Sequence, residues 1–283
     1  MASSEEIALI KALRERTGAG IMDCKKALIE TGNDIEKAVD YLREKGIAKQ
    51  AKRAGRTAAE GLTNVHICEK CGKAIVLEIN CETDFVANSD TFKNLLENVT
   101  KCLMQNEPAS LEEAKTLTAQ LFTDAALAVG EKLELRRFEI IHPAEGQKFA
   151  SYSHMGGKIG TLVLLSKPCE ALEKPLAMHI AANAPIYISL EDVPAADRAR
   201  ERAIAEAEVK DDPKLQGKPE AMLANIIEKK TDKALQTACL VLQDYLLDPS
   251  KKVGQVLKEN GVSVVKFVRY QVGEGIVKTA EEE

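Results

Sequence analysis

With 283 residues, 45% of them hydrophobic and 29% charged, the chain has the composition of an ordinary globular protein with material for one large core or two to three smaller ones. A net charge of −5 argues against a general nucleic-acid binder but leaves room for a local basic patch, and no apolar run reaches the roughly 18 residues that suggest a membrane span. The 7 cysteines are odd in number and scattered, and the opening Met-Ala-Ser-Ser-Glu-Glu lacks the basic-then-apolar layout of a secretory signal, so reduced thiols in a cytoplasm are expected.

Residues 3 to 50 read as three short helices. Ile7, Ile10 and Leu13 share a face of the first, which stops at Thr17-Gly18-Ala19-Gly20. Ile21, Met22, Ala27 and Leu28 mark the second, closed by Thr31-Gly32-Asn33. The third follows the Asn33-Asp34 cap signal and runs through Ile35, Val39 and Leu42 to Lys45-Gly46. Together they form a small bundle resembling a ubiquitin-associated domain, marginal alone and better suited to docking. Residues 47 to 60 continue as a basic stretch, helical at first and loosened at Gly55, with the linker between domains at 51–60. Lys49, Lys52, Arg53 and Arg56 cluster there, either to meet an acidic partner or phosphate or, the blander reading, as a solvated face.

From residue 61 the period changes to that of strands. Leu62 to Cys68 and Lys73 to Asn80 flank a Glu69-Lys70-Cys71-Gly72 turn and form a hairpin. A helix from Ser89 to Gln105 carries Phe92, Leu95, Leu96, Val99 and Leu103 on one face. A second runs from Ser110 to Val129, and both open on a serine cap. A strand from Leu133 to Ile141 ends at His142-Pro143, which closes a core subdomain over 61–143.

The order then recurs. Phe149 to His154, a Met155-Gly156-Gly157 turn and Ile159 to Leu165 make a second hairpin, Cys169 to Asn183 a helix, and Val262 to Val272 a closing strand. Two related α+β subdomains are expected, the second over 144–272. That second unit contains an insertion at about 191–237, where two charge-rich helices, 191 to 210 and 218 to 236, flank Asp211-Asp212-Pro213 and Gly217. They predict an antiparallel helical hairpin that projects and packs on something else, self-association being one option. A short tail, 273–283, with Lys278 and Glu281 to Glu283, closes the chain.

No phosphate-binding loop, nucleophile elbow or His-Glu-x-x-His helix occurs, and no cofactor is expected. His66, His142, His154 and His179 have no helical ligand partner and read as structural or surface residues. Cys68-Glu69-Lys70-Cys71 is a C-x-x-C at a hairpin turn. Two turn thiols, free or occasionally oxidised, are the plain reading. A zinc knuckle supplemented by His66 and Cys81 is the alternative, and would make this a cysteine-based metal-binding module. A redox-catalytic motif normally opens a helix, which this one does not. The strand ending at Asn80 runs into Cys81-Glu82-Thr83-Asp84-Phe85-Val86. There Thr83 or Asp84 can cap a turn while Phe85 packs inward for about 1.5–3 kcal/mol, or Asp84 and Phe85 can be offered to a partner. Composition alone favours the inward ring.

Leu13-Arg14-Glu15-Arg16-Thr17-Gly18-Ala19-Gly20-Ile21-Met22-Asp23-Cys24-Lys25-Lys26-Ala27-Leu28 resembles the N-terminal signature of the elongation factor Ts family. Glu78-Ile79-Asn80-Cys81-Glu82-Thr83-Asp84-Phe85-Val86-Ala87-Asn88 resembles its second signature. Met178 to Ala182 and Val272 to Ile276 are similar to that family too. The resemblance implies a non-enzymatic guanine nucleotide exchange factor for the translation GTPase elongation factor Tu. Its implied fold is α+β: an N-terminal ubiquitin-associated-like bundle, two related subdomains and a projecting coiled-coil hairpin. By resemblance Asp84 and Phe85, with Thr83 and Val86 beside them, enter the GTPase next to its magnesium and nucleotide. Arg14, Ile21, Met22 and Lys25 match N-terminal contact positions, and His154 a contact of the second subdomain. Ile21 stands where a Met is familiar, Cys68 and Cys71 depart from the family pattern, and the short tail gives no expectation of a helical C-terminal module.

Overall fold

The computed structural model describes residues 4–277. Of the expected tail, Lys278 and Glu281 to Glu283 lie outside the described residues, as does the side chain of Lys49 in the basic cluster. The described chain is α+β. In order it runs α1 (Ser4–Thr17), α2 (Ile21–Glu30), α3 (Ile35–Arg53), β1 (Glu60–Cys68), β2 (Lys73–Cys81), α4 (Asp84–Asn88), α5 (Asp90–Asn106), α6 (Leu111–Val129) and β3 (Glu134–Ile141). It continues with β4 (Lys148–His154), β5 (Ile159–Leu165), α7 (Glu170–Asn183), α8 (Ala195–Asp211), α9 (Glu220–Gln236), β6 (Asp244–Tyr245), β7 (Asp248–Lys252), α10 (Val253–Glu259) and β8 (Val264–Gln271).

Two compact units divide the chain. The first holds everything up to His142, with Ser153–Gly160 and the segment from Tyr270; the second holds Pro143–Tyr152 and Thr161–Arg269. In the first, α1 to α3 close a small core around Leu13, Cys24, Ala27, Leu28 and Leu42. Helix α3 departs from expectation, passing through Gly46 to Arg53 rather than stopping at Lys45-Gly46. Packing gives the reason: a Cβ on Gly46 would sit 2.8 Å from Leu127 Cγ on α6. The glycine lets two helices approach closely instead of ending one.

Strands β1, β2 and β3 pair antiparallel with β2 in the middle, Val65 opposite Val76 and Val76 opposite Glu139. Every residue of β2 is buried, which explains its near-continuous apolar run. Helices α5 and α6 add Phe92, Val99, Leu103 and Phe122 to Ile75, Leu77 and Ile79 in the same core. Their caps follow the sequence: Ser89 Oγ accepts from Phe92 N at 3.3 Å and Ser110 Oγ from Glu113 N at 3.2 Å. Such caps are each worth about 1 kcal/mol.

The second sheet repeats the strand order, β4-β5-β8 with β5 in the middle. Val163, Leu165, Leu176, Ile180, Leu240 and Val253 are part of a separate core in the second unit. His179 is buried there as a structural residue. Its Nδ1 accepts from the Leu246 amide at 3.2 Å, so Nε2 carries the proton donated to Gln243 Oε1 at 2.8 Å. Burial pushes its pKa below the ordinary imidazole value.

The insertion forms two helices, α8 and α9, that pack on each other with Ala205, Val209, Thr231 and Leu235 buried. Arg198 bridges to Glu228 at 2.5 Å and Asp232 at 2.7 Å. They start later than the expected 191 and 218, because Pro194 and Pro219 each occupy the N-cap. The short β6–β7 hairpin and α10 carry too little periodicity to be read from sequence.

Candidate partner-docking site

Strand β2 ends in a corner whose shape is over-determined. One Glu131 carboxylate oxygen accepts from the amides of Glu82 (3.1 Å) and Thr83 (3.0 Å), the other from Thr83 Oγ1 at 2.6 Å. Glu82 reciprocates, its Oε1 accepting from the Lys132 amide at 2.6 Å, and its carboxylate also holds Arg56 at 3.2 Å. Lys132 Nζ in turn donates to the Arg56 carbonyl at 3.0 Å. Charge-assisted bonds to backbone amides are among the stronger hydrogen bonds available, so the corner is clamped to the loop that follows α6.

Within the clamp the chain starts α4. Thr83 Oγ1 accepts from Val86 N at 3.4 Å, which makes Thr83 the cap while Asp84 opens the first turn. Asn88 Nδ2 donates to the Asp84 carbonyl at 2.9 Å, and Ser89 closes α4 while capping α5. Ala87 is buried and Val86 half-buried. Cys81 Sγ donates to the Thr83 carbonyl at 3.1 Å; burial, then the Glu131 charge, pushes its thiol up to about 12, so it stays protonated.

Phe85 is 84% exposed, which corrects the inward reading that composition favoured. The physical reason is that Ala87 and Val86 fill the inward face of a five-residue helix, leaving the ring on the outward side. Beside it Asp84 is exposed, and its carboxylate has no hydrogen-bond or ion-pair partner among the described residues. The corner therefore presents a ring and a free carboxylate on a backbone that does not have to reorganise.

Strand β2 is anchored on its other side as well. Glu78, fully buried, accepts from Arg136 at 2.9 Å, Arg137 at 2.6 Å and the Gly273 amide at 2.9 Å. Arg137 lies 4.2 Å above the Tyr270 ring, whose hydroxyl is pushed up to about 12, first by burial and then by Glu139. Gly273 is required there, since at φ +72° a Cβ would lie 2.3 Å from the Ala59 carbonyl oxygen.

The N-terminal candidates gather at the turn between α1 and α2. Ile21 is 55% and Met22 75% exposed, Arg14 is exposed, and Lys25 pairs with Glu6 at 3.5 Å. Their neighbours Leu13, Ala19 and Cys24 are buried, so α2 splits into a core face and an apolar outward face. His154 is exposed at the end of β4, next to Met155 at 69% exposure. Their turn is held against β1 by Thr63 Oγ1, which donates to the Gly157 carbonyl at 2.8 Å, and by the Lys158–Glu60 ion pair at 2.8 Å. All nine candidates fall in the first unit, in three places: the α1–α2 turn, the α4 corner and the end of β4. Arg56 was noted in sequence only as part of a basic cluster and Glu82 only within a signature, and Glu131 not at all; the clamp spans some fifty residues, and nothing in the local pattern marks it.

Cys68 and Cys71 are joined by a disulfide, with Cα atoms 5.5 Å apart, which corrects the expectation of reduced thiols. The hairpin turn brings both within bridging range. The other five cysteines are free, and among the described residues no group of three or more His, Cys, Asp or Glu side chains is placed to hold a metal ion. Among the same residues no helix is long and apolar enough to cross a membrane.

The family model described as Elongation factor TS matches residues 82–274. The match begins inside the clamped corner, at Glu82, and ends beside the Gly273 anchor. It covers well over half of the 283 residues. The chain therefore belongs to the elongation factor Ts family, nucleotide exchange factors of the translation GTPase elongation factor Tu.

Proposed function

We propose that this chain binds elongation factor Tu through three surfaces of its first unit and promotes GDP release by presenting the Thr83–Val86 corner to the magnesium and nucleotide site. The observation that carries this reading is an 84% exposed phenylalanine next to a carboxylate with no partner among the described residues, on a clamped backbone. An aromatic side chain left in water forgoes about 1.5–3 kcal/mol of burial, which a partner can recover.

An exchange factor makes no covalent bonds. It binds the nucleotide-free GTPase more tightly than the loaded one, and reciprocity then weakens nucleotide binding by the same factor. Asp84 brings a negative charge toward the metal's coordination shell. At 4 Å and an effective dielectric near 20 a charge pair is worth about 4 kcal/mol, so partial disturbance exceeds a tenfold effect. Phe85 acts as a wedge against the element that holds the metal's water ligands.

Arg14, Ile21, Met22 and Lys25 supply affinity from the bundle of residues 1–50, and His154 adds a contact from the hairpin turn after β4, inside the 144–272 subdomain. The 51–60 linker carries Arg56, which steadies the corner. The helical pair within 191–237 serves association, with a second copy as its candidate partner. The setting is the cytoplasm, where translation takes place.

Release of labelled GDP from elongation factor Tu, with and without the chain, tests the activity. Phe85→Ala should lose most of the acceleration while keeping its fold, and unchanged release would rule out the wedge. Deleting residues 1 to 50 should weaken binding strongly; intact affinity would refute the docking role.

A further inference from the structure

The tip of the β1–β2 hairpin plays no part in the docking described above. There Cys68 and Cys71 are bonded across Glu69 and Lys70, and the two are not equivalent. Cys68 ends β1 half-buried and packs against the first unit's core, whereas Cys71 stands exposed on the turn. The Cys71 backbone N–H donates to Cys68 Sγ at 3.2 Å. An N–H aimed at a sulfur favours its thiolate, and the sulfur that leaves as the more stable thiolate leaves faster. Exposure thus selects Cys71 for attack, and the hydrogen bond selects Cys68 as leaving group.

Beside the disulfide a groove of about 520 Å³ runs between β1 and α5, lined by His66, Glu97, Lys101 and Met104 as well as both cysteines. Asn64, His66 and Cys68 are alternate residues of β1 and share its α5-facing side. Asn64 Nδ2 donates to Thr100 Oγ1 at 2.8 Å and ties the strand to the helix. A cavity of this size suits a small organic molecule. The hairpin is secured without the disulfide, by the full β1–β2 register and by the ion pair of the buried Lys73 with Glu107.

We propose that Cys68–Cys71 is a thiol–disulfide exchange site for a low-molecular-weight thiol of the glutathione class. The incoming thiolate attacks Cys71 Sγ and forms a new S–S bond. The Cys68–Cys71 bond breaks, and its electron pair leaves on Cys68 as a thiolate facing the Cys71 amide. A second thiolate attacks the small-molecule sulfur of the mixed disulfide, releasing the small disulfide and the Cys71 thiolate. Two thiolates have then lost two electrons in forming one disulfide, and the protein pair has gained them. Run in reverse, the small disulfide oxidises the pair. With no helix N-terminus to acidify a thiol, the motif accepts exchange and does not catalyse it for other proteins.

The test uses the full chain, reduced, with Cys68→Ser and Cys71→Ser variants, incubated with glutathione disulfide and followed by intact mass and peptide mapping. Cys68→Ser should collect one glutathione on Cys71. Cys71→Ser should collect it on Cys68 about tenfold more slowly, because half-burial of Cys68 limits access by more than its hydrogen-bonded thiolate gains. Reduced wild type should end with the internal disulfide and no adduct on this pair. Because a variant can misfold, the oxidised wild type is also pulsed with isotope-labelled glutathione, acid-quenched and mapped, and the label should sit on Cys71. Equal rates in the two variants, label on Cys68, or a wild-type pair still reduced after glutathione disulfide would each overturn the proposal.

Discussion

Each three-stranded sheet sends its middle strand into a corner that leads to a helix, and the two corners are finished differently. After β5, the chain ties back into its own sheet: the Ser166 amide donates to the Ser263 carbonyl at 2.9 Å and Ser166 Oγ accepts the Ser263 amide at 3.0 Å. Its last strand residue, Leu165, is fully buried, and Glu173 accepts from the Cys169 amide at 3.1 Å as α7 begins. After β2, the clamp comes from the Glu131–Lys132 loop and grips only the base, so Phe85 is left outside. The same strand order therefore yields one corner that closes on itself and one that presents a side chain. What makes the difference is where the hydrogen-bond partners come from, not the topology.

The sharpest way to break this comparison is to truncate an apolar residue at each corner. Leu165→Ala should cost about 2–5 kcal/mol of stability in urea denaturation, as fully buried leucines do. Phe85→Ala should shift stability by no more than about 0.5 kcal/mol. Comparable losses would mean that the Phe85 ring supports the fold after all.

Removing the clamp should give the next largest effect. Glu131→Ala leaves the Glu82 and Thr83 amides without their acceptor, a loss of about 1–3 kcal/mol, and it should slow GDP release even though Phe85 is intact. If stability falls and exchange does not, the corner does not need its preformed shape. Phe85→Ala itself should reduce catalysed release about tenfold or more, corresponding to about 1.4 kcal/mol in the barrier.

A smaller effect should appear with pH in the second unit. The His179 pKa is depressed by burial, so the unfolded chain binds that proton more readily. Stability is then full above the ordinary imidazole value near pH 6.5 and falls as pH drops below it. The fall levels off once the folded imidazole is itself protonated. Its slope is at most about 1.4 kcal/mol per pH unit for one proton, and it should vanish in His179→Gln. Stability that is flat from pH 7.5 to 5.5 in the wild type would show that His179 is not held neutral. Smallest of all, Lys25→Ala should change stability by less than about 1 kcal/mol, since its pair with Glu6 is solvent-screened. Any loss of GTPase binding by that variant would therefore be a contact effect.

Much of the chain could be read locally. The apolar faces of α2 and α5, the serine caps at Ser89 and Ser110, the two hairpins and the repeated strand order all depend on spacings of a few residues. The candidate corner's cap stood open between Thr83 and Asp84 until the structure showed the Thr83 hydroxyl accepting the Val86 amide, but the corner itself was legible as a motif. The outward direction of Phe85 was not, because it depends on Ala87 and Val86 filling the inward face of α4. Gly46 was misread as a helix end because its neighbour Leu127 lies some eighty residues further on. The turn that brings Cys68 and Cys71 together was legible, but not that they are bonded, because spacing does not record an oxidation state.

The sequence by itself determined the longer elements, their order and the family resemblance, because periodicity, caps and signatures are written within short windows. Tertiary structure decided that β2 is buried from end to end, that Glu131 and Arg56 reach the corner from distant segments, and that a phenylalanine expected in the core stands in water. Those outcomes are set by which groups remain to satisfy a backbone amide or cover an apolar face once the chain has closed.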